Sequence, residues 1–120
     1  MLDLSRTREE LKVVYDQVGS PTSAADLAAF LLGVIHGGQL DKTGIYHYSD
    51  EGVCSWYDLA CAVRDLGGGQ ARIRPCRSDE YPTKARRPQF SVLDKGLVKR
   101  TFGVEIPHWY DSLKVCMERL

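Results

Sequence analysis

The sequence contains no apolar run that could cross a lipid bilayer. Its longest apolar stretch, residues 27–35, falls far short of the ~20 residues that a membrane-spanning helix needs. Residues 1–12 carry too many charges for a secretory signal peptide. We therefore predict a cytoplasmic protein with no membrane partner.

The sequence also lacks an excess of charge of one sign. Sixteen lysines and arginines balance sixteen aspartates and glutamates, so nothing at the level of the whole chain favours binding to nucleic acid. Repeats and low-complexity segments are absent, and 43% of the 120 residues are hydrophobic, an ordinary fraction for a globular protein. These features predict one folded domain over residues 1–120.

Recognisable metal-binding motifs are missing as well. The four cysteines, which include no C-x-x-C pair, are Cys54, Cys61, Cys76 and Cys116. The three histidines, which lie apart from one another, are His36, His47 and His108. We expect buried free thiols and no zinc site, because the ligand spacing is wrong and no export signal points to an oxidising compartment.

Residues that favour β-structure occur in three short segments. β-Branched and aromatic residues predict strands over residues 12–18, 45–49 and 72–76, and Pro75 places the last of these at a sheet edge. Because the strands alternate with amphipathic helices, the predicted fold class is α/β or α+β, with about four to five helices packed on a small sheet. Completion of this sheet by strands from outside the chain stays an open alternative.

Capping residues and glycines divide the helical segments. A short or frayed helix is predicted within residues 2–11. Ser23, Ser55 and Asp94 are expected to cap three more helices, and Pro107 suits the first turn of the last helix. Apolar residues at helical spacing predict three buried faces: Leu27, Phe30, Leu31, Val34 and Ile35; Trp56, Leu59, Ala60, Val63 and Leu66; and Trp109, Leu113, Cys116, Met117 and Leu120. Both tryptophans are thus expected in the core, with stacking on a ligand as the alternative.

Residues 16–22 form the strongest local signal, at the junction of a predicted strand and a predicted helix. Gly19 is expected to be free to take a positive φ, and Pro21 fixes its own φ. Main-chain N–H groups of such a turn, together with the first turn of the next helix, favour an anionic or polar ligand. Three side chains add donors suited to nucleotide or sugar oxygens: Gln17, Ser20 and Thr22. An ordinary capped connection is the alternative.

Basic residues concentrate near a predicted loop. Residues 72–87 include six basic and two acidic side chains. Residues 77–92 show no regular period and contain Pro82 and Pro88, which predicts a long loop. Arginine presents a planar donor fork that matches phosphate oxygens, so residues 84–88 are suited to clamping a diphosphate. A solvated charged loop fits the same residues and stays open.

Five blocks of sequence resemble dTDP-4-dehydrorhamnose reductases in order and spacing. The blocks are residues 13–22, 44–47, 55–57, 85–88 with 91–93, and 102–109. That family belongs to the extended short-chain dehydrogenases, in which an amino-terminal Rossmann part binds NADPH and a carboxyl-terminal part completes the sugar-nucleotide site. The resemblance covers nearly all of the chain and implies that it is the carboxyl-terminal, substrate-binding part without the Rossmann core.

The resemblance implies a substrate and a set of binding residues. Complete family members would reduce dTDP-4-dehydro-6-deoxy-L-mannose to dTDP-L-rhamnose, a step in surface polysaccharide synthesis. The residues implied at the dTDP-sugar nucleotide site are Gln17, Gly19, Pro21 and Thr22, with Arg86 or Arg87 facing the diphosphate. Some relatives bridge dimers with magnesium, but the sequence identifies no ligand for it here.

The sequence does not contain the glycine-rich dinucleotide motif G-x-G-x-x-G. We therefore expect that this chain binds no cofactor, has no catalytic residue and is inactive alone. Tyr110 and Lys114 have the spacing of the short-chain dehydrogenase pair, but the family's pair would lie upstream, so we interpret them as a coincidence.

Several origins and partners for the chain stay open. Met1 falls where relatives are inside a helix, which implies a shortened gene product, an internal start or an isolated domain. The expected partners are a missing Rossmann part or a second copy. An alternative is a non-catalytic sugar-nucleotide-binding or regulatory module, since the same fold family includes a regulatory subunit of methionine adenosyltransferase.

Overall fold

The computed structural model describes residues 1–81 and 83–120, so the prediction that involves Pro82 lies outside the described residues. Five α-helices are present in this part of the chain: α1 (Leu2–Thr7), α2 (Ala24–His36), α3 (Trp56–Leu66), α4 (Gly96–Phe102) and α5 (Trp109–Met117). Four short strands accompany them: β1 (Glu10–Val14), β2 (Val18–Gly19), β3 (Cys54–Ser55) and β4 (Arg72–Cys76). The predicted class, helices with a small sheet, is confirmed.

The strands form two pairs. Strands β1 and β4 are parallel, with Glu10 opposite Arg72 and Val13 opposite Pro75. The prediction that Pro75 lies in an edge strand is confirmed, because both strands of a two-stranded sheet are edges. Strands β2 and β3 are antiparallel, with Val18 opposite Ser55.

The predicted strand over residues 12–18 is divided into β1 and β2. Asp16 lies at the break, where its carboxylate accepts hydrogen bonds from the main-chain N–H of Ser78 at 3.0 Å and from the Ser78 hydroxyl at 2.8 Å. A short polar side chain engaged in this way competes with strand pairing. The chain therefore turns between the two strands.

Two helix starts agree with the capping pattern of the sequence. The Ser23 hydroxyl accepts a hydrogen bond from the N–H of Asp26 at 3.3 Å, at the start of α2. Ser55 and Asp58 form a reciprocal capping box at the start of α3. Both predicted caps are confirmed.

The last two helices begin later than predicted. Helix α4 begins at Gly96, whose N–H donates to the carboxylate of Asp94 at 2.7 Å, so Asp94 lies one residue before the cap position. Pro107 lies outside α5, because the ring of His108 caps that helix by accepting a hydrogen bond from the N–H of Tyr110 at 3.2 Å. Histidine is not one of the preferred capping residues, which explains why the sequence pattern missed this start.

The core consists of two small clusters that α3 joins. One contains Cys54, Ala62 and Trp109, and the other contains Ala60, Ala71 and Ile73. The prediction for Trp109 is confirmed, but the prediction for Trp56 is wrong. Trp56 is the first residue of α3 and is 49% exposed, since it lies beyond the turns that pack on the core.

Helix α2 is only half covered. Phe30 stacks on Tyr48 with ring centroids 5.1 Å apart, whereas the predicted core residues Leu31 and Ile35 are 51% and 53% exposed. Cys116 on α5 is also exposed, so the expectation that all four thiols are buried is wrong, although each is free. The amphipathic pattern identified the helices but not which side of each would be covered.

The second predicted strand, residues 45–49, has no regular secondary structure. Ile45 at its start is 86% exposed. A strand exists only when a neighbour satisfies its backbone N–H and C=O groups, and the described residues place no strand beside this segment. The β-forming residues are present, but their pairing partner is missing.

The molecule is elongated. Its principal extents are 51 × 32 × 21 Å, and its radius of gyration is 16.7 Å. A compact domain of this length would have a radius of gyration of roughly 14 Å. None of the helices in the described ranges is long and apolar enough to cross a membrane.

Candidate functional site

Strand β2 is the scaffold of a cavity. On one side Val18 pairs with Ser55 of β3. On the other side the N–H of Val18 donates to the carbonyl of Gln89 at 2.8 Å, and the N–H of Ser91 donates to the carbonyl of Val18 at 2.9 Å. The end of the predicted loop over residues 77–92, called the basic loop below, is therefore hydrogen-bonded directly to β2. Strand β2 lies within residues 16–22, the segment predicted to bind a ligand.

Gln17 is held in place just before β2. Its side chain is buried, and Nε2 donates a hydrogen bond to the hydroxyl of Ser78 at 2.9 Å. Hydrogen bonds from the main-chain N–H and then the hydroxyl of Ser78 lower the pKa of Asp16. This network fixes the Gln17 side chain before any ligand arrives.

The turn after β2 is anchored at both ends. The hydroxyl of Ser20 donates to the carbonyl of Gly52 at 2.7 Å, and the N–H of Ser23 donates to the carboxylate of Asp50 at 2.9 Å. Thr22 lies between these anchors and is exposed. The anchors make the turn a preformed wall, and they leave Thr22 accessible to a ligand.

Two donors at the start of α2 are engaged within the chain, and anion binding at this helix start stays a prediction. Its donors at Ser23 and Asp26 already have partners, the Asp50 carboxylate and the Ser23 hydroxyl. Burial, reinforced by the nearby charge of Asp26, raises the pKa of Asp50. A phosphate beside the Ser23 and Asp26 donors would therefore lie close to two carboxyl groups.

Gly19 matters because it has no side chain. It does not have a positive φ, so that expectation from the sequence is wrong. A Cβ atom at this position would lie 2.8 Å from the hydroxyl oxygen of Ser91. The glycine therefore allows the basic loop to lie close against β2.

A cavity of about 580 Å³ opens beside this turn. Five of the six predicted site residues line it: Gln17, Gly19, Pro21, Thr22 and Arg87. The structure thus brings together residues that lie about seventy positions apart in the sequence.

Arg86, the sixth predicted residue, lines a second cavity of about 640 Å³. Gln17, Arg87 and Pro88 line both cavities, so the two are neighbours. Within the described part of the chain, Arg74 pairs with Glu10 at 2.8 Å, whereas neither Arg86 nor Arg87 forms an ion pair. The two arginines therefore have free donor forks beside the cavity.

Sequence reasoning missed several lining residues, among them Cys54, Leu59 and Ser91, and it gave ligand stacking by Trp56 only as the alternative. Burial raises the pKa of the Cys54 thiol to about 11, so this group stays neutral and is no nucleophile at ordinary pH. Trp56 offers a half-exposed aromatic face. Its position immediately after the cap Ser55 was the available signal, because first-turn side chains often project past the packed part of a helix.

Residues 1–120 match the family model described as the RmlD substrate binding domain. This chain belongs to that family. As an RmlD substrate binding domain it is 38% identical over 114 residues to the spore coat polysaccharide biosynthesis protein SpsK of Bacillus subtilis, with 95% of this chain and 38% of that protein covered.

Other relatives carry the name dTDP-4-dehydrorhamnose reductase. The Escherichia coli protein of that name is 35% identical over 129 residues, which covers all of this chain and 43% of that protein. The crystal structure of the Clostridium acetobutylicum reductase matches with a TM-score of 0.88 and 39% identity over 99% of this chain and 42% of that chain. The Bacillus anthracis reductase, solved in complex with NADP, matches with a TM-score of 0.91 and 29% identity, covering 99% and 41%.

The chain spans about two fifths of the length of these relatives. The resemblance inferred from the five sequence blocks is confirmed. Residues from three of those blocks, 13–22, 55–57 and 85–88 with 91–93, line the cavity of this RmlD substrate binding domain.

Tyr110 and Lys114 are engaged with each other and with a neighbour. The Lys114 ammonium lies 5.4 Å from the Tyr110 ring centroid and 2.6 Å from the carboxylate of Asp111. Asp111 raises the pKa of Lys114 by hydrogen bonding. Neither residue lines the cavity beside β2, which agrees with the interpretation that their spacing is a coincidence.

Proposed function

We propose that this chain binds a dTDP-sugar nucleotide in the cavity beside β2. It would serve as the substrate-binding portion of a dTDP-4-dehydrorhamnose reductase, which reduces dTDP-4-dehydro-6-deoxy-L-mannose to dTDP-L-rhamnose with NADPH. The observation that carries the proposal is the meeting of Gln17, Pro21 and Arg87 around one cavity in a member of this family. We also propose that residues 1–120 fold as one domain.

Each part of the cavity suits one part of such a ligand. Arg87 lines both cavities and has no ion-pair partner among the described residues, so it is the residue best suited to the diphosphate, with Arg86 beside it. Trp56 presents a half-exposed aromatic ring on which a base can stack. Gln17 and Thr22 supply polar groups for the sugar or the base.

The residues present do not fit a dinucleotide cofactor. The start of α2 follows a strand-to-helix turn of the kind that binds pyrophosphate, but its Ser23 and Asp26 donors are paired and two carboxyl groups lie beside it. Hydride transfer would therefore depend on NADPH held by residues outside this chain. The role of the described residues is to bind and orient the sugar nucleotide.

Calorimetric titration with dTDP-L-rhamnose tests the binding proposal. Saturable binding is expected, and Arg87→Ala should weaken it by roughly ten- to a hundredfold, the effect of losing a charged hydrogen bond. Arg8→Ala is the matched control, because Arg8 is exposed and lies outside the cavity. Absence of binding at millimolar ligand, or an equal loss in both variants, would contradict the proposal.

A turnover assay tests the proposal that hydride transfer needs residues outside this chain. The chain is mixed with NADPH and the keto-sugar nucleotide, and NADPH absorbance is followed. No oxidation above the blank is expected from the chain alone. Steady turnover would show that the residues present suffice for hydride transfer.

A non-catalytic interaction module is the second candidate function. The exposed apolar side of α2 favours it, because a surface of this kind is typical of a binding interface. Capture of a protein partner by a chain that has no affinity for dTDP-sugars would support this candidate over the first.

A further inference from the structure

The hydroxyl group of Ser78 connects two neighbouring side chains of the predicted binding segment. Its oxygen lies 2.8 Å from a carboxylate oxygen of Asp16 and 2.9 Å from Nε2 of Gln17. Hydrogen bonds from Ser78 lower the pKa of Asp16, so this carboxyl group is ionised at neutral pH and can only accept hydrogen bonds. The Ser78 hydroxyl must therefore donate its single proton to Asp16.

The direction of this bond decides which end of the Gln17 amide faces Ser78. A hydroxyl that has donated its proton can only accept, and of the two ends of an amide only the NH₂ group donates. A reversed amide would place the carbonyl oxygen of Gln17 against a lone pair of the Ser78 oxygen. The main-chain N–H of Ser78 lies 3.0 Å from both carboxylate oxygens of Asp16 and holds the carboxylate in place. The orientation of the amide therefore follows from the donors and acceptors around it.

The carbonyl oxygen of Gln17 is the end of the amide that is left for a ligand. Gln17 is 9% exposed, and it lines both of the neighbouring cavities. Within the described ranges its Oε1 accepts no hydrogen bond, yet it is not one of the buried side-chain oxygens that lack a partner. Oε1 is therefore accessible. An acceptor that is already held in place binds a donor without the cost of ordering its side chain.

The serine hydroxyls that line the cavity beside β2 also use their protons within the chain. Their bonds run from Ser20 to the Gly52 carbonyl at 2.7 Å, from Ser55 to the Asp58 carboxylate at 2.7 Å, and from Ser91 to the Val18 carbonyl at 3.2 Å. Donation to a ligand therefore falls mainly to Arg86 and Arg87, whose forks suit a diphosphate. The neutral side chains around Gln17 offer acceptors, which suit a ligand that brings its own donors.

We propose that Ser78 and Asp16 are positioning residues that hold the carbonyl oxygen of Gln17 towards the ligand as a hydrogen-bond acceptor. The site then selects a ligand that places an N–H or O–H donor at this point. Two parts of a dTDP-sugar carry such donors: the thymidine, with its imino N–H and its hydroxyl, and the sugar, with its hydroxyls. This role rests on the proposed function, which assigns a dTDP-sugar nucleotide to the cavity.

Nuclear magnetic resonance of the ligand-free chain tests the orientation of the amide without any binding. The side-chain N–H protons of Gln17 should show nuclear Overhauser effects to the β protons of Ser78. Asp16→Ala frees the Ser78 hydroxyl to donate to the Gln17 carbonyl, so these effects should weaken or vanish. Asp16→Asn removes the charge but keeps an acceptor oxygen, and it should retain them. Absence of the effects in the parent, retention of them in Asp16→Ala, or loss of them in Asp16→Asn would overturn the proposal.

Calorimetric titration with dTDP-L-rhamnose tests the use of this acceptor. Gln17→Met keeps the length of the side chain but removes the amide, and it should weaken binding roughly tenfold to a hundredfold, because a donor of the ligand is left unpaired. Ser78→Ala leaves the amide free to turn and should weaken binding about threefold to tenfold. Ser49→Ala is the matched control, because the buried Ser49 hydroxyl has no partner among the described residues and Ser49 lines neither cavity. An equal effect of the two serine variants would contradict the positioning role.

Titration with dTDP, which lacks the sugar, identifies the part of the ligand that supplies the donor. If Gln17→Met weakens the binding of dTDP as much as that of dTDP-L-rhamnose, the donor belongs to the thymidine. If it weakens only the binding of dTDP-L-rhamnose, the donor is a hydroxyl of the sugar. Unchanged affinity for both ligands would overturn the proposal. Failure of the parent to bind dTDP-L-rhamnose would overturn the proposed function and the ligand part of this proposal, whereas the nuclear Overhauser effects would still decide the orientation.

Discussion

Replacing Gly52 by alanine should destabilise the protein more than any other glycine-to-alanine change tested beside it. Gly52 has a φ of 87°, which L-residues rarely adopt. A Cβ atom there would contact the ring of His108, with Cδ2 at 2.6 Å, and would lie 2.8 Å from Cδ1 of Trp109. The turn has no room for a methyl group.

The cost can be worked out from these contacts. Positive φ costs an alanine roughly 1–2 kcal/mol. His108 cannot simply rotate away, because its ring caps α5, and loss of a cap costs about 1 kcal/mol. Movement of the buried Trp109 adds about 1 kcal/mol or more, as overpacking does. We expect Gly52→Ala to lower the free energy of unfolding by about 3 kcal/mol or more.

Two further variants separate the cost of a positive φ from the cost of a steric clash with the added methyl group. Gly38 has a φ of 65°, but no atom of the described residues lies within 4 Å of the position that a methyl group would occupy, so Gly38→Ala should cost about 1 kcal/mol. Gly33 lies inside α2 with open space around it, so Gly33→Ala should stabilise the protein by about 0.5–1 kcal/mol. Urea unfolding followed by circular dichroism measures all three. A Gly52→Ala cost no larger than that of Gly38→Ala would refute the steric reasoning.

The other predictions concern a carboxyl group, a cap and a thiol. Burial raises the pKa of Asp50 in the folded protein above its unfolded value. The carboxyl group therefore stabilises the fold below the unfolded pKa, and this stabilisation is lost as pH rises through the folded pKa. Asp50→Asn keeps the acceptor for Ser23 and should therefore be more stable than the parent at pH 7 in urea unfolding, with the difference vanishing at low pH; a variant less stable at pH 7 would contradict this. Ser55→Ala removes a capping box and should cost about 1 kcal/mol in the same assay, and a cost near zero would show that the box is dispensable. Ellman's reagent should modify the exposed Cys116 first, and Cys116→Ser should abolish this fast phase, whereas a fast phase that persists would place the reactive thiol elsewhere.

Local chemistry explains which parts of the fold could be predicted. The caps at Ser23 and Ser55 depend on residues three positions apart, so the sequence contains the whole interaction. Gly103 ends α4 with a φ of 64°, again a property of one residue and its neighbours. Elements fixed by short-range contacts were therefore recognisable without a structure.

Most errors concern contacts between distant residues; the missed start of α5 is an exception, because the His108 cap is local. Trp56 has helical periodicity with Leu59 and Val63, but only packing decides that it lies outside the core. Gly19 is a glycine because Ser91, seventy-two positions later, approaches it, and no local rule detects this contact. The same holds for the site, since Cys54, Leu59 and Ser91 carry no sequence signal of their own.

The binding cavity and the exposed outer side of α2 (Leu31, Leu32 and Ile35) differ in how completely the described residues build them. Hydrogen bonds donated to Ser78, Gly52 and Asp50 by residues 17–23 hold the cavity walls from inside the chain. The outer side of α2 and residues 45–48 have no such support within the described ranges. A preformed cavity binds its ligand without the cost of ordering the protein. Nucleotide binding by these 120 residues should therefore need no further ordering of the cavity walls.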